Sequence, residues 1–109
     1  MTKKEFVAMS LPYGLKVLIH ESNKKYCRKT VIGTVGVVFD DGSINCYDTV
    51  NACPRWYKPL LYPCDFGIGD LYGYELIHSI KKHYDIAGLI EKGEAIDINS
   101  LEVNPYKNK

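Results

Sequence analysis

Cysteine and histidine are the residue types in this chain whose chemistry depends most directly on spacing. The four cysteines are Cys27, Cys46, Cys53 and Cys64. Gaps of 18, 6 and 10 residues separate them in turn, whereas a zinc knuckle brings two thiolates to one ion across a two-residue gap. His78 and His83 are five positions apart, which on a helix turns their side chains by about 140° and prevents them from sharing a metal ion. The pattern therefore predicts no metal site and no cofactor, and it favours buried or inert thiols.

Catalytic motifs are present only as fragments. The triplet "DFG" at residues 65–67 is familiar from kinases, but the chain has neither the catalytic loop nor the glycine-rich loop of that class. Gly67, Gly69 and Gly73 follow a pattern one residue too long for the dinucleotide fingerprint, so we interpret them as turn residues. No serine stands in a nucleophile elbow, and His20 lies in a run typical of a strand. The sequence thus predicts a protein that is not an enzyme.

Aromatic residues are concentrated in the middle of the chain. Six of the thirteen, Trp56, Tyr57, Tyr62, Phe66, Tyr72 and Tyr74, fall between positions 56 and 74, beside Arg55 and Lys58. Tyrosine, tryptophan and arginine combine a large contact area with polar tips and recur at the centres of protein interfaces. We therefore predict that Arg55, Trp56, Tyr57 and Tyr62 contact a partner protein. The alternative is that these rings pack an irregular loop onto the core.

A basic segment offers a second hypothesis. Residues 24–29, "KKYCRK", place Lys24, Lys25, Arg28 and Lys29 around one tyrosine. Phosphate contacts need such charges, and a stacking aromatic suits single-stranded nucleic acid. Although the net charge is only +1, residues 1–34 hold seven basic and two acidic residues while residues 35–109 hold seven and eleven. Nucleic-acid binding is one alternative function, and a nucleotide-sequestering pocket lined by aromatics is another.

Several elements that must position these residues are readable from local signals. Residues 3–9 predict a helix with a capping box between Thr2 and Glu5, and residues 15–20 predict a strand. Residues 30–39 and 43–50 flank "DDG", which predicts a hairpin with Asp41 and Gly42 as a two-residue turn. That turn would place Val37 opposite Cys46 and Phe39 opposite Ile44. One face would be buried (Val31, Val35, Val37, Phe39, Ile44, Cys46 and Val50), and Cys46 would be a small core residue.

The second half of the chain predicts a helix that packs on this sheet. A short strand is expected near residues 60–62, and "YELIHSIKKHY" then places Leu76, Ile77, Ile80 and Tyr84 on one helical stripe. Asp85 predicts the N-cap of a further short helix that ends at Gly93, and "AIDIN" predicts an edge strand. The fold class is therefore α+β: a small antiparallel sheet of three to four strands, one main amphipathic helix and short flanking helices. Residues 1–109 are expected to form a single domain.

Composition agrees with an intracellular protein. The chain is 46% hydrophobic and 25% charged, which is normal for one globular domain, and no window approaches the roughly 18 apolar residues of a membrane helix. We therefore expect a cytoplasmic location with no membrane partner, in which the cysteines remain thiols.

Two stretches of the sequence resemble a known family. "MSLPYGLKVL" at residues 9–18 and "YDIAGLIEKGEAIDIN" at residues 84–99 are similar to small uncharacterised proteins of phages and prophages of gut bacteria, which share an "LPYGLK" start and an ending like "FDVFGLIEKGLAIDIN". The matching stretches are roughly a quarter of the chain. This sequence is shorter between them than many family members, and Tyr84, Ala87 and Glu94 stand where the family has more apolar residues.

The resemblance implies a context and not a mechanism. A small accessory protein in a bacterial host is expected to bind and modulate a host protein, as inhibitors of host defence such as anti-CRISPR proteins do by covering a surface. The family supplies no catalytic residue to carry over. The leading expectation is thus a non-catalytic protein that binds a host protein in the host cytoplasm.

Overall fold

The first helix begins where its capping signal places it. The structure is a computed structural model that describes residues 2–22, 28–49, 53–54 and 56–107. Helix α1 spans Lys3–Ser10; the Thr2 hydroxyl accepts from the Glu5 amide at 3.2 Å, and the Glu5 carboxylate accepts from the Thr2 amide at 2.8 Å. This confirms the predicted capping box. The helix buries Phe6 and Val7 completely.

One mixed sheet of five strands forms the centre of the described structure. The strands are β1 (Lys16–Ser22), β2 (Arg28–Val38), β3 (Ile44–Cys46), β4 (Tyr57–Leu61) and β5 (Ile96–Asp97). Their spatial order is β3-β2-β1-β4-β5, and all neighbours are antiparallel except β4 and β5, which are parallel. The α+β class is therefore confirmed, whereas the prediction of a purely antiparallel sheet of three to four strands is wrong. The chain that leaves the end of β4 returns to the side of the sheet where β4 begins before it enters β5. The two strands therefore run in the same direction.

The hairpin between β2 and β3 has a different register from the predicted one. The Phe39 amide donates to Ser43 O at 2.8 Å and the Gly42 amide donates to Phe39 O at 2.9 Å, so the loop has three residues that end in Gly42 at φ +89°. Val38 consequently faces Ile44, and an irregularity between Val35 and Val37 then places Val35 opposite Cys46. The additional loop residue shifts the pairs next to the loop by one position, and the irregularity shifts the pair of Val35 by one more.

This register decides which side chains of the hairpin are buried. Val35, Ile44 and Cys46 lie in the core as predicted, but Val37 and Phe39 are each 44% exposed. Val38 instead packs against the core. The irregularity at Gly36 allows both Val35 and Val38, three positions apart, to point to the same face.

The main core lies on one face of the sheet. Its buried members are Phe6, Val7, Leu15, Val17, Ile19, Val35, Ile44, Cys46, Tyr57, Leu61, Ile80, Ile86, Leu89 and Ala95. Ile19 pairs directly with Tyr57, so these two side chains point to the same face. Leu60 and Ile98 are also buried, outside this cluster; since Leu60 alternates with Leu61, it points to the opposite face.

The region after β4 is less helical than predicted. Helix α2 spans Tyr74–Lys81 and buries Ile80. Ile77, which was predicted to share the buried stripe, is 51% exposed. The segment after Asp85 forms consecutive turns instead of a short helix, although the Asp85 carboxylate does accept from the amides of Leu89 at 2.7 Å and Ile90 at 2.9 Å.

The helices are short relative to a bilayer. No helix within the described ranges is long and apolar enough to cross a membrane.

Candidate functional site

Tyr57 is a core residue, which corrects its prediction as a contact residue. It is 6% exposed, and its hydroxyl donates to Gly42 O at 2.8 Å. The Lys3 ammonium lies 4.0 Å from the centre of the Tyr57 ring and donates to Tyr57 O at 3.0 Å. Burial raises the pKa of Tyr57 to about 12. Tyr57 therefore joins β4 to the hairpin loop and to α1, and it offers no surface to a partner.

The other predicted contact residues do not form one surface with Tyr57. Tyr62 is half-buried, with its ring centre 6.1 Å from that of Tyr84 and 6.2 Å from that of Tyr106. Its hydroxyl accepts from Nδ2 of the Asn104 side chain at 2.6 Å. Trp56 is half-buried, and the Lys58 ammonium lies 5.6 Å from its ring centre. Arg55 lies outside the described residues. The alternative interpretation, that rings of this segment pack onto the core, therefore holds for Tyr57 and in part for Tyr62.

Two of the four predicted nucleic-acid residues lie outside the described structure. Lys24 and Lys25 are not among the described residues. Arg28 and Lys29 are the first two positions of β2, opposite Ser22 and Glu21 of β1, and their side chains are not described. Nucleic-acid binding through these four residues stays a prediction.

An exposed aromatic surface lies instead at the start of α2. Tyr72 is 77% exposed, Tyr74 is 80% exposed and Ile77 is 51% exposed. The Tyr74 ring stacks with the His78 ring at a centre-to-centre distance of 6.2 Å and an interplanar angle of 16°. Positions 74, 77 and 78 lie on one face of a helix because they are three and four residues apart. We call Tyr72, Tyr74, Ile77 and His78 the α2 surface.

The structure shows why part of the α2 surface was missed. Tyr72 and Tyr74 belong to the aromatic segment that the sequence singles out, but the helical stripe assigned Ile77 to the core. In the fold, Ser79 and Ile80 are buried and Leu76 packs against the core. Compared with the predicted orientation, α2 is therefore rotated about its axis, and Ile77 faces solvent. Periodicity alone does not distinguish these two rotations, because both place apolar side chains inside.

An open cleft lies between two segments that are distant in the sequence. It has a volume of about 650 Å³ and is lined by Pro63, Cys64, Asp65, Phe66, Gly67, Gly69, Asp85, Ile86, Ala87, Gly88, Ile90 and Glu91. These residues include three carboxylates and no lysine, arginine or histidine. We call this feature the acidic cleft. No local pattern predicts this cleft, because its two walls are about twenty residues apart along the chain.

The carboxylates of the acidic cleft differ in their surroundings. Asp85 is buried, and its two oxygens accept from the amides of Leu89 and Ile90. Asp65 and Glu91 are exposed, so their charges face water and meet no desolvation cost. The cleft therefore combines apolar walls with two accessible negative charges.

Two of the three described thiols, those of Cys46 and Cys64, are poorly suited to nucleophilic chemistry. Burial, followed by the nearby Asp48 charge, raises the pKa of Cys46 to about 11. Burial also raises the pKa of Cys64, whose thiol donates to Phe66 O at 3.2 Å. Cys46 is fully buried, as predicted. Among the residues with described positions, no three His, Cys, Asp or Glu side chains are grouped so as to hold a metal ion.

Comparison with known proteins adds no relative. No family model, curated protein or solved structure matches this chain. Inference about function therefore depends on the geometry of the α2 surface and the acidic cleft.

Proposed function

We propose that this protein is a non-catalytic binding domain that attaches to a host protein through the α2 surface. The observation that carries the proposal is the exposure of Tyr74 and Ile77 on one face of a short helix and of Tyr72 just before it. Large side chains of this kind are usually withdrawn from water, and a cluster of them on a surface is typical of a protein interface. Tyrosine is well suited to this use because its ring gives apolar area and its hydroxyl remains hydrogen-bonded at the rim.

The biological setting of the proposal comes from the resemblance to phage and prophage proteins. An accessory protein of this kind acts in the bacterial cytoplasm by covering a surface of a host protein. An inhibitor of host defence, similar in action to anti-CRISPR proteins, is the specific form that we propose. Such an action requires a stable contact surface and no reacting group.

The properties of the buried titratable groups support a non-catalytic role. Cys46 has a raised pKa, which keeps its thiol protonated, and His83 is buried with its pKa lowered to about 4. A nucleophilic cysteine needs the opposite shift, and a general base works best when its pKa is near the working pH.

The two alternative functions have less support from the described residues. A nucleotide carries negative phosphates, which the carboxylates of the acidic cleft would repel, so this cleft does not favour nucleotide sequestration. Binding of nucleic acid by residues 24–29 is tested separately, by measuring whether the affinity falls steeply as the salt concentration rises.

The proposal is tested by affinity capture from lysate of infected host cells with matched variants. The wild type is compared with the triple variant Tyr72→Ala, Tyr74→Ala, Ile77→Ala and with the control Tyr47→Ala, which removes a ring that is 73% exposed on the hairpin side of the sheet. We expect wild type and control to retain the same host protein and the triple variant to lose it. Equal capture by all three proteins would contradict the proposal. Unchanged thermal unfolding of the triple variant shows that the loss is due to the surface and not to misfolding.

A further inference from the structure

We propose that the acidic cleft binds a basic, extended peptide segment, with cationic side chains paired to Asp65 and Glu91. The inference rests on the proposed function in one respect, namely that the segment belongs to a protein partner. It adds a second point of recognition, separate from the α2 surface, and it specifies the charge of the partner.

The size and shape of the cleft suit a chain segment. Its volume of about 650 Å³ is similar to that of small-molecule pockets, roughly 300 to 1,000 Å³, so a few side chains of a segment can enter it. It is open to solvent and not enclosed, which suits a peptide segment better than a small molecule that must be surrounded. Gly67, Gly69 and Gly88 line it without side chains, so a peptide backbone can approach the protein backbone closely there.

The charge of the cleft defines the ligand. Asp65 and Glu91 are exposed members of its lining, and none of the described lining residues is basic. The third carboxylate, that of Asp85, already accepts two backbone amides at 2.7 Å and 2.9 Å, so it contributes negative potential without being available for a direct contact. A lysine or arginine side chain is the complementary group, because it pairs with carboxylates and brings an apolar stem.

The apolar walls favour arginine over a simple cation. Phe66 is half-buried in the lining, and its ring is fixed edge-on against Tyr84 at a centre distance of 5.7 Å and an angle of 68°. A guanidinium group stacks on such a ring while it donates to a neighbouring carboxylate. Ile86, Ala87 and Ile90 supply apolar contact for the stems and for small side chains of the segment.

A second copy of this chain is the competing occupant. Residues 24–29 carry four positive charges and would have the required sign. That arrangement predicts that the protein associates with itself at low ionic strength, which sedimentation measures.

The test uses a defined probe, a fluorescein-labelled heptapeptide of alternating alanine and arginine, and its twin with glutamate in place of arginine. Binding is measured by fluorescence anisotropy at low salt, and the contacted residues are located by amide shifts in ¹H–¹⁵N spectra. We expect the arginine peptide to bind and the glutamate peptide not to bind. Shifts should be largest at the glycines of the lining.

Two pairs of variants separate the cleft from general charge effects. Asp65→Asn with Glu91→Gln removes the two accessible charges, and Glu75→Gln with Glu102→Gln removes two exposed carboxylates outside the lining. The first pair should weaken binding by about threefold to tenfold, in line with two partly exposed ion pairs, and the second pair should change it by less than about twofold, because distant exposed charges are screened by salt. Ala87→Trp should block the cleft, whereas Ala8→Trp, on the exposed side of α1, should not.

Each remaining outcome overturns the proposal. Equal binding of both peptides, equal weakening by both charge pairs, or shifts that map elsewhere would each exclude the acidic cleft as a basic-segment site. Self-association in sedimentation that disappears in Asp65→Asn with Glu91→Gln would identify a second copy as the occupant instead. A failure of the peptide test leaves the α2 result from lysate capture unaffected, and a failure of the capture test leaves peptide binding measurable, so the two proposals fail separately.

Discussion

The ring of His83 stacks on the ring of Tyr106, with centres 4.1 Å apart and an angle of 13° between the planes. The contact joins the end of the α2 region to the C-terminal segment. His83 has φ +64°, which is uncommon for a residue other than glycine, and its buried Nδ1 has no hydrogen-bond partner among the described residues. Surrounding packing therefore holds this histidine in a backbone conformation that it would not adopt alone.

The first prediction concerns the dependence of stability on pH. The pKa of His83 is lowered from 6.5 to about 4, first by burial and then by the charge of Lys16. Between these values the unfolded chain binds more protons than the folded one, so the contribution is fully present above about pH 6.5 and is lost as the pH falls toward 4. We expect a decrease in the free energy of unfolding on the order of 2 to 3 kcal/mol over this range, measured by urea denaturation.

The variant His83→Asn provides the control for this pH effect. Asparagine tolerates a positive φ and does not titrate. The variant should be less stable at pH 7 because it lacks the ring that stacks on Tyr106. It should lose less stability between pH 6.5 and 4 because no group at this position binds a proton. The same pH slope in wild type and variant would show that other groups cause the effect.

The second prediction concerns the hydroxyl of Tyr106. It accepts from the Lys16 amide at 2.9 Å and donates to Leu60 O at 2.8 Å, so it bridges β1 and β4 where their direct pairing has ended. Tyr106→Phe should lower the free energy of unfolding by about 1 to 3 kcal/mol, because two backbone groups lose a buried partner. Tyr47→Phe, at an exposed ring, should have no measurable effect in the same urea titration.

The third prediction concerns the carboxylate of Asp85. Because it satisfies the amides of Leu89 and Ile90, Asp85→Ala should cost about 1 to 2 kcal/mol, as the loss of a helix cap does. Faster hydrogen exchange of these two amides would locate the effect. Asp65→Ala serves as the matched change at an exposed carboxylate, and an equal loss of stability there would contradict the capping role.

The fourth prediction concerns the space beside Gly33. A Cβ at this position would lie 2.7 Å from Thr49 Cγ2 and 3.2 Å from Cys46 Sγ, so Gly33→Ala should destabilise the protein by about 1 to 3 kcal/mol through overpacking. Gly69→Ala has no atom within 4 Å of the new group and should be neutral or slightly stabilising. Thermal unfolding of both variants measures the difference. Equal melting temperatures would show that the hairpin accommodates the extra methyl group without loss of stability.

Elements that depend on neighbouring residues were predictable from the sequence. The capping box at Thr2 and Glu5 and the strand after Leu15 are set by contacts within a few residues, and both are confirmed. The loop of the hairpin was predicted in place but one residue too short. A loop of two residues and one of three share the same Asp-Gly signal, and both registers bury Val35, Ile44 and Cys46. Local signals therefore did not distinguish the observed pairing of Val38 with Ile44 from the predicted pairing of Phe39 with Ile44.

The sequence by itself determined the α+β class, the buried character of Cys46 and the concentration of aromatics around residues 56–74, because composition and local spacing carry that information. Only the tertiary structure decided that Tyr57 is buried while Tyr72 and Tyr74 are exposed, that β5 runs parallel to β4, and that residues 63–69 and 85–91 face each other across a cleft. These features arise from contacts between segments that are far apart in the chain. Alternation and helical period state which side chains share a face, but the packing of the whole chain decides which face meets water.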